Sequence, residues 1–76
     1  MPHVAISMIP GRDQNEKRDL AIRVQNFICE ELNLEKSVVS VSIEEIPLER
    51  WDAHMEQIPP ETILTKGAIH DKFYRA

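Results

Sequence analysis

Apolar residues alternate at the start of the chain, with Val4, Ile6 and Met8 on one side and His3, Ala5 and Ser7 on the other. A two-residue period of this kind predicts a half-buried strand. Pro10-Gly11-Arg12-Asp13 then interrupts the pattern, because proline fixes φ and glycine admits backbone angles closed to other residues. Beyond the turn the period lengthens. Leu20, Val24, Phe27, Ile28 and Leu32 recur at intervals of three and four with Ala21 beside them, while Lys17, Arg18, Arg23, Gln25 and Glu30 point elsewhere. This spacing predicts an amphipathic helix from about Gln14 to Leu32. Asp13 as N-cap with Glu16 three residues on forms an Asp variant of the capping box, which satisfies two orphan backbone donors at the helix start.

After the polar link Asn33 to Ser37, alternation returns from Val38 to Ile46, with Val39, Val41 and Ile43 on one face and Val38, Ser40, Ser42 and Glu44 on the other. Strand, helix and strand joined by brief connections predict a parallel pair with a right-handed crossover. The helix should lie on the face carrying Val4, Ile6, Met8, Val39, Val41 and Ile43. The class is therefore α/β (α+β), built on one β-α-β unit. Pro47 ends the second strand, since it cannot donate to the ladder. Leu48 to Ile58 predicts a short second helix carrying Trp51 and Met55, stopped by Pro59-Pro60. From Glu61 to Ala76, the apolar Ile63, Leu64, Ile69, Phe73 and Tyr74 predict a packed tail, laid across a partner subunit or the second sheet face.

Length changes this picture. A chain of 76 residues is a single domain, 1–76, and so short a chain buries only about 60% of the surface its unfolded form exposes. Disulfides offer no help, because Cys29 is alone; it is read as packing beside the apolar stripe rather than as a nucleophile. His3, His54 and His70 are scattered without a cysteine pair, so no metal site is expected. Self-association remains. Two β-α-β units paired edge to edge would make a four-stranded sheet with both helices on one side, removing two exposed edges. The net charge of −4 is made of mixed signs, with no basic stripe for a phosphate backbone, so nucleic acid is not an expected partner. No apolar run approaches the roughly 20 residues of a membrane span and no secretory pattern opens the chain. These features, with an unpaired Cys29, favour a cytoplasmic protein.

The candidate chemistry lies at the start. If Met1 is removed, Pro2 carries a free secondary amine mounted on a rigid strand. An α-amino group has a reference pKa of about 7.7–8.0, and an apolar site or a nearby guanidinium would lower it towards a useful base. Pro2, a strand, Gly11-Arg12 before a capped helix, a Val/Ser strand and then Trp51 together resemble the 4-oxalocrotonate tautomerase superfamily. The similarity runs from Pro2 to Trp51, about two thirds of the chain, and is nearest to the short dimeric phenylenolpyruvate-type tautomerases, which begin Met-Pro-His.

The resemblance implies a cofactor-independent keto–enol tautomerase, an isomerase acting on small 2-oxo acids or their enols. Pro2 would be general acid/base, Arg12 would bind the substrate carboxylate, and Trp51 would form an aromatic wall. A tryptophan that merely fills the core is the alternative for Trp51. For the self-association expected from the small core, a homodimer is preferred to a hexamer because the chain extends past Trp51 and Ser40, Ser42 and Glu44 make the second sheet face fairly polar. Where the best-known members place a second arginine, this chain has Ser40, which favours a monoacid enol over a diacid; Arg50 could compensate. His3 is read as bonding backbone or water rather than as a second base. Two alternatives stand beside this reading. One is a haloacrylate hydratase or dehalogenase, for which Glu44, Glu45 or Asp52 would activate water; the other is a non-catalytic self-associating module that keeps Met1.

Overall fold

The computed structural model describes residues 1–67; Ile69, His70, Phe73 and Tyr74 lie outside the described residues. Strand β1 is His3–Met8, helix α1 is Gln14–Leu32, strand β2 is Ser40–Glu45 and helix α2 is Trp51–Glu56. Single 3-10 turns occupy Lys36–Val38, Leu48–Arg50 and Pro60–Thr62. The two strands pair in parallel with His3 opposite Ser40, Ala5 opposite Ser42 and Ser7 opposite Glu44. This is the β-α-β arrangement that the sequence predicts.

Helix α1 begins where the sequence places it. The Asp13 carboxylate accepts from the Glu16 N–H at 2.8 Å, and the Glu16 carboxylate accepts from the Asp13 N–H at 3.0 Å. Asn33 closes the other end in the left-handed conformation, its N–H donating to the Cys29 carbonyl. Strand β2 is shorter than the alternation suggests. Val38 and Val39 donate instead to Glu35 and Lys36, closing the 3-10 turn before the strand starts at Ser40.

The inner sheet face carries the expected residues: Val39 is buried, and Val4, Ile6, Val41 and Ile43 are half-buried. The helix stripe differs from expectation. Leu20, Phe27 and Leu32 are 36%, 60% and 56% exposed. Helix α1 lies mainly over β2, where Ala21, Ile22 and Gln25 flank Val41 and the Gln25 amide donates to the Val39 carbonyl at 2.9 Å. On the opposite flank of the helix, Leu20 and Phe27 are exposed. Two strands are too narrow to cover an apolar face this wide. The buried apolar core of the described residues is accordingly only Cys29, Val39 and Ile46. Leu64 is 88% exposed, so among the described residues this part of the predicted packed tail finds no cover. Among the described residues, no helix is long and apolar enough to cross a membrane.

Candidate active site

Pro2 precedes β1 and is half-buried. Its carbonyl accepts from the Ser40 N–H at 3.3 Å, which ties the residue to the N-terminal end of the parallel pair. Met1 is 98% exposed and contributes no packing, so its loss costs the fold nothing.

Arg12 sits at the other end. Gly11 before it has φ 140°, a conformation essentially closed to side-chain-bearing residues, and this lets the chain turn out of β1 before Asp13 starts the helix. One turn into α1, Lys17 Nζ lies 3.3 Å from Glu45 Oε2 at the last residue of β2, so the helix start and Arg12 with it belong to the C-terminal end of the strands. At ~3.3 Å per residue, the run from Pro2 to Met8 separates the two ends by about 20 Å. Arg12 is exposed, and among the described residues it makes no ion pair.

Trp51 belongs to the Arg12 end. The chain leaves β2 at Glu45, bonds Ile46 N–H to the Met8 carbonyl at 2.8 Å, and passes through Leu48–Arg50 into α2. Trp51 is half-buried at the first residue of that helix, neither a core residue nor a free surface one. A cavity of about 320 Å³ opens here between β2 and α2, lined by Glu44, Glu45, Arg50, His54 and Gln57 among others. The structure thus groups Arg12, Trp51 and Arg50 at one end of the sheet and leaves Pro2 at the opposite end of the same protomer.

Two further polar groupings flank these residues. On the outer sheet face His3 lies between two serines, with Nδ1 2.6 Å from Ser40 Oγ and Nε2 2.9 Å from Ser42 Oγ. Either tautomer fits, because a hydroxyl both donates and accepts. The partners are side chains on the neighbouring strand, not the backbone or water that the sequence suggests, and the small Ala5 on the same face leaves room for the ring. At the Arg12 end, His54 Nε2 lies 2.7 Å from Ser7 Oγ, part-buried, and the His54 ring centroid is 6.3 Å from that of Trp51 at 40°. Sequence reading missed this pair. The only signal was weak: His54 falls one helical turn after Trp51, and Ser7 is a polar residue of the outer face of β1.

Comparison with known proteins agrees with the architecture. A family model described as "Tautomerase enzyme" matches residues 2–58. A probable tautomerase of Xylella fastidiosa (strain 9a5c) is 36% identical over 67 residues, covering 88% of this chain and 78% of that protein. The tautomerase PptA of Escherichia coli (strain SMS-3-5 / SECEC) is 33% identical over 70 residues, covering 87% of this chain and 93% of that protein.

Proposed function

The chain belongs to the tautomerase enzyme family, and from that premise we propose that it interconverts the enol and keto forms of small 2-oxo acids. Pro2, freed of Met1, is the general acid/base, Arg12 holds the substrate carboxylate, and Trp51 walls the site. In the forward direction the Pro2 nitrogen takes the enol hydroxyl proton, the electrons of that O–H bond form the C=O, and the C=C pair takes a proton at carbon from the prolinium. One O–H bond is exchanged for one C–H bond, and no electron acceptor enters the balance. A planar guanidinium suits both the carboxylate and the developing enolate charge, and the indole excludes water and disfavours the charged amine.

The observation that carries this reading is the placement of Pro2 and Arg12 at opposite ends of β1, which among the described residues pairs on one edge only, with β2. A two-fold, antiparallel pairing of β1 with the same strand of a second copy reverses the direction, so each Pro2 meets the partner's Arg12 and Trp51. The exposed Leu20 and Phe27 are apolar surface that such a pairing would cover against the partner's α1. The site is then shared between subunits and incomplete in one copy alone. With Ser40 engaged by His3 and no second arginine on β2, the site favours a monoacid such as an aryl enolpyruvate.

The test is the loss of enol absorbance of phenylenolpyruvate on incubation with protein whose intact mass lacks Met1. Protein whose Pro2 nitrogen is blocked should lose on the order of 10²–10⁴-fold in rate. Undiminished turnover by the blocked protein would overturn the assignment.

A further inference from the structure

We propose that Ser7 and His54 are positioning residues that set the Trp51 indole as the wall of the shared site; this rests on the tautomerase reading given above. Helix α2 is six residues long, and its N-cap, Arg50, makes no side-chain cap. So short a helix has almost no stability of its own and takes its orientation from what it docks on. Among the described residues, the 2.7 Å contact from Ser7 Oγ to His54 Nε2 is the sole side-chain hydrogen bond between α2 and either strand. It is part-buried, so it is exchanged less readily for water than a surface bond.

The bond acts on Trp51 through the helix. Trp51 and His54 are three residues apart, hence neighbours on one face, and their ring centroids stand 6.3 Å apart. Ser7 is in β1, the strand whose edge brings the partner's Pro2 to this end of the sheet. The chain of contact therefore runs from the strand that places the base, through Ser7 and His54, to the ring that shields it. Loss of the bond lets α2 rotate about its Pro47 and Pro59 flanks, and the indole loses its fixed distance from the substrate.

Trp51 is the chain's sole tryptophan, so intrinsic fluorescence reports on it alone. Ser7→Ala, which leaves the His54 ring beside the indole, should red-shift the emission and raise acrylamide quenching. It should also lower kcat/KM for phenylenolpyruvate about 3- to 10-fold and shift the pH–rate profile, since a loosened indole no longer keeps water from the Pro2 amine. His54→Leu should do the same, the double variant should be no worse than either single one, and His54→Gln, which keeps a hydrogen-bonding group, should recover most of both effects. Wild-type quenching in Ser7→Ala overturns the proposal, as does altered quenching with an unchanged kcat/KM and pH profile. If no protein in the series turns over any enol, the tautomerase reading fails, and the quenching of Ser7→Ala still decides whether the pair fixes the indole.

Discussion

If each site takes Pro2 from one subunit and Arg12 from the other, two inactive proteins should restore activity to each other. One protein carries a blocked Pro2 nitrogen and an intact Arg12; the second carries a free Pro2 and Arg12→Ala. The block should remove about 10²–10⁴-fold in rate. Removing a hydrogen bond to a charged group costs about 1.5–3 kcal/mol, and at 1.36 kcal/mol per decade Arg12→Ala should lose about 10- to 150-fold in kcat/KM. In a mixed dimer one site combines the free Pro2 with the intact Arg12, and the other site lacks both. Random exchange of equal amounts makes half the dimers mixed, so about a quarter of the wild-type activity should return, or about half when mixed dimers are isolated through two affinity tags.

The alternative gives a different figure. Were Pro2 and Arg12 paired within one protomer, no mixed dimer would contain a complete site, and activity would stay at the mean of the two parents. That mean is a few per cent, given the losses above. The assay is the decay of phenylenolpyruvate absorbance, with native mass spectrometry confirming that mixed dimers formed. Verified mixed dimers with only the parental mean would refute the placement of Pro2 and Arg12 across the interface.

The helix flank and the turn before Arg12 give two more outcomes. A phenylalanine side chain presents about 200 Å² and Phe27 is 60% exposed, so covering it in both copies of a dimer removes up to about 240 Å² from water, worth at most about 6 kcal/mol. Phe27→Ser should therefore weaken the dimer by several decades in Kd, seen by sedimentation, while the far-ultraviolet dichroism of the monomer is kept; unchanged self-association would remove this flank from the interface. Gly11→Ala meets no steric obstacle, since nothing lies within 4 Å of the added Cβ, but the φ of 140° should cost about 1–3 kcal/mol. For a domain of this length each kcal/mol is a fall of about 4–8 °C in Tm, and an unchanged melting curve would mean that the turn relaxes freely.

How much of this was legible in the sequence depends on the range of the interaction concerned. The bounds of α1 were, because the Asp13–Glu16 reciprocal bonds and the three-four spacing act within a few residues. The start of β2 was not: Val38 and Val39 continue the alternation, and nothing in it shows that their N–H groups turn back to Glu35 and Lys36. Pro2, Arg12 and Trp51 were singled out through the family resemblance, whereas their division between two ends of a sheet follows from the direction of the crossover. The Ser7–His54 bond joins positions 47 apart, and no local period reports it.

The helix stripe is the most instructive of these differences. Leu20, Phe27 and Leu32 belong to one apolar face by spacing, and a reading that assumes one copy assigns that face to the core. The described residues supply two strands, and the helix covers β2 with Ala21 and Gln25 while Leu20 and Phe27 stay exposed. Under the proposed pairing, the surplus is the surface that an antiparallel copy would cover as it carries a proline to an arginine. An amphipathic stripe wider than its own sheet is thus information about assembly. Under the proposed pairing it is also information about catalysis, since the contact that would hide Phe27 would also complete the site.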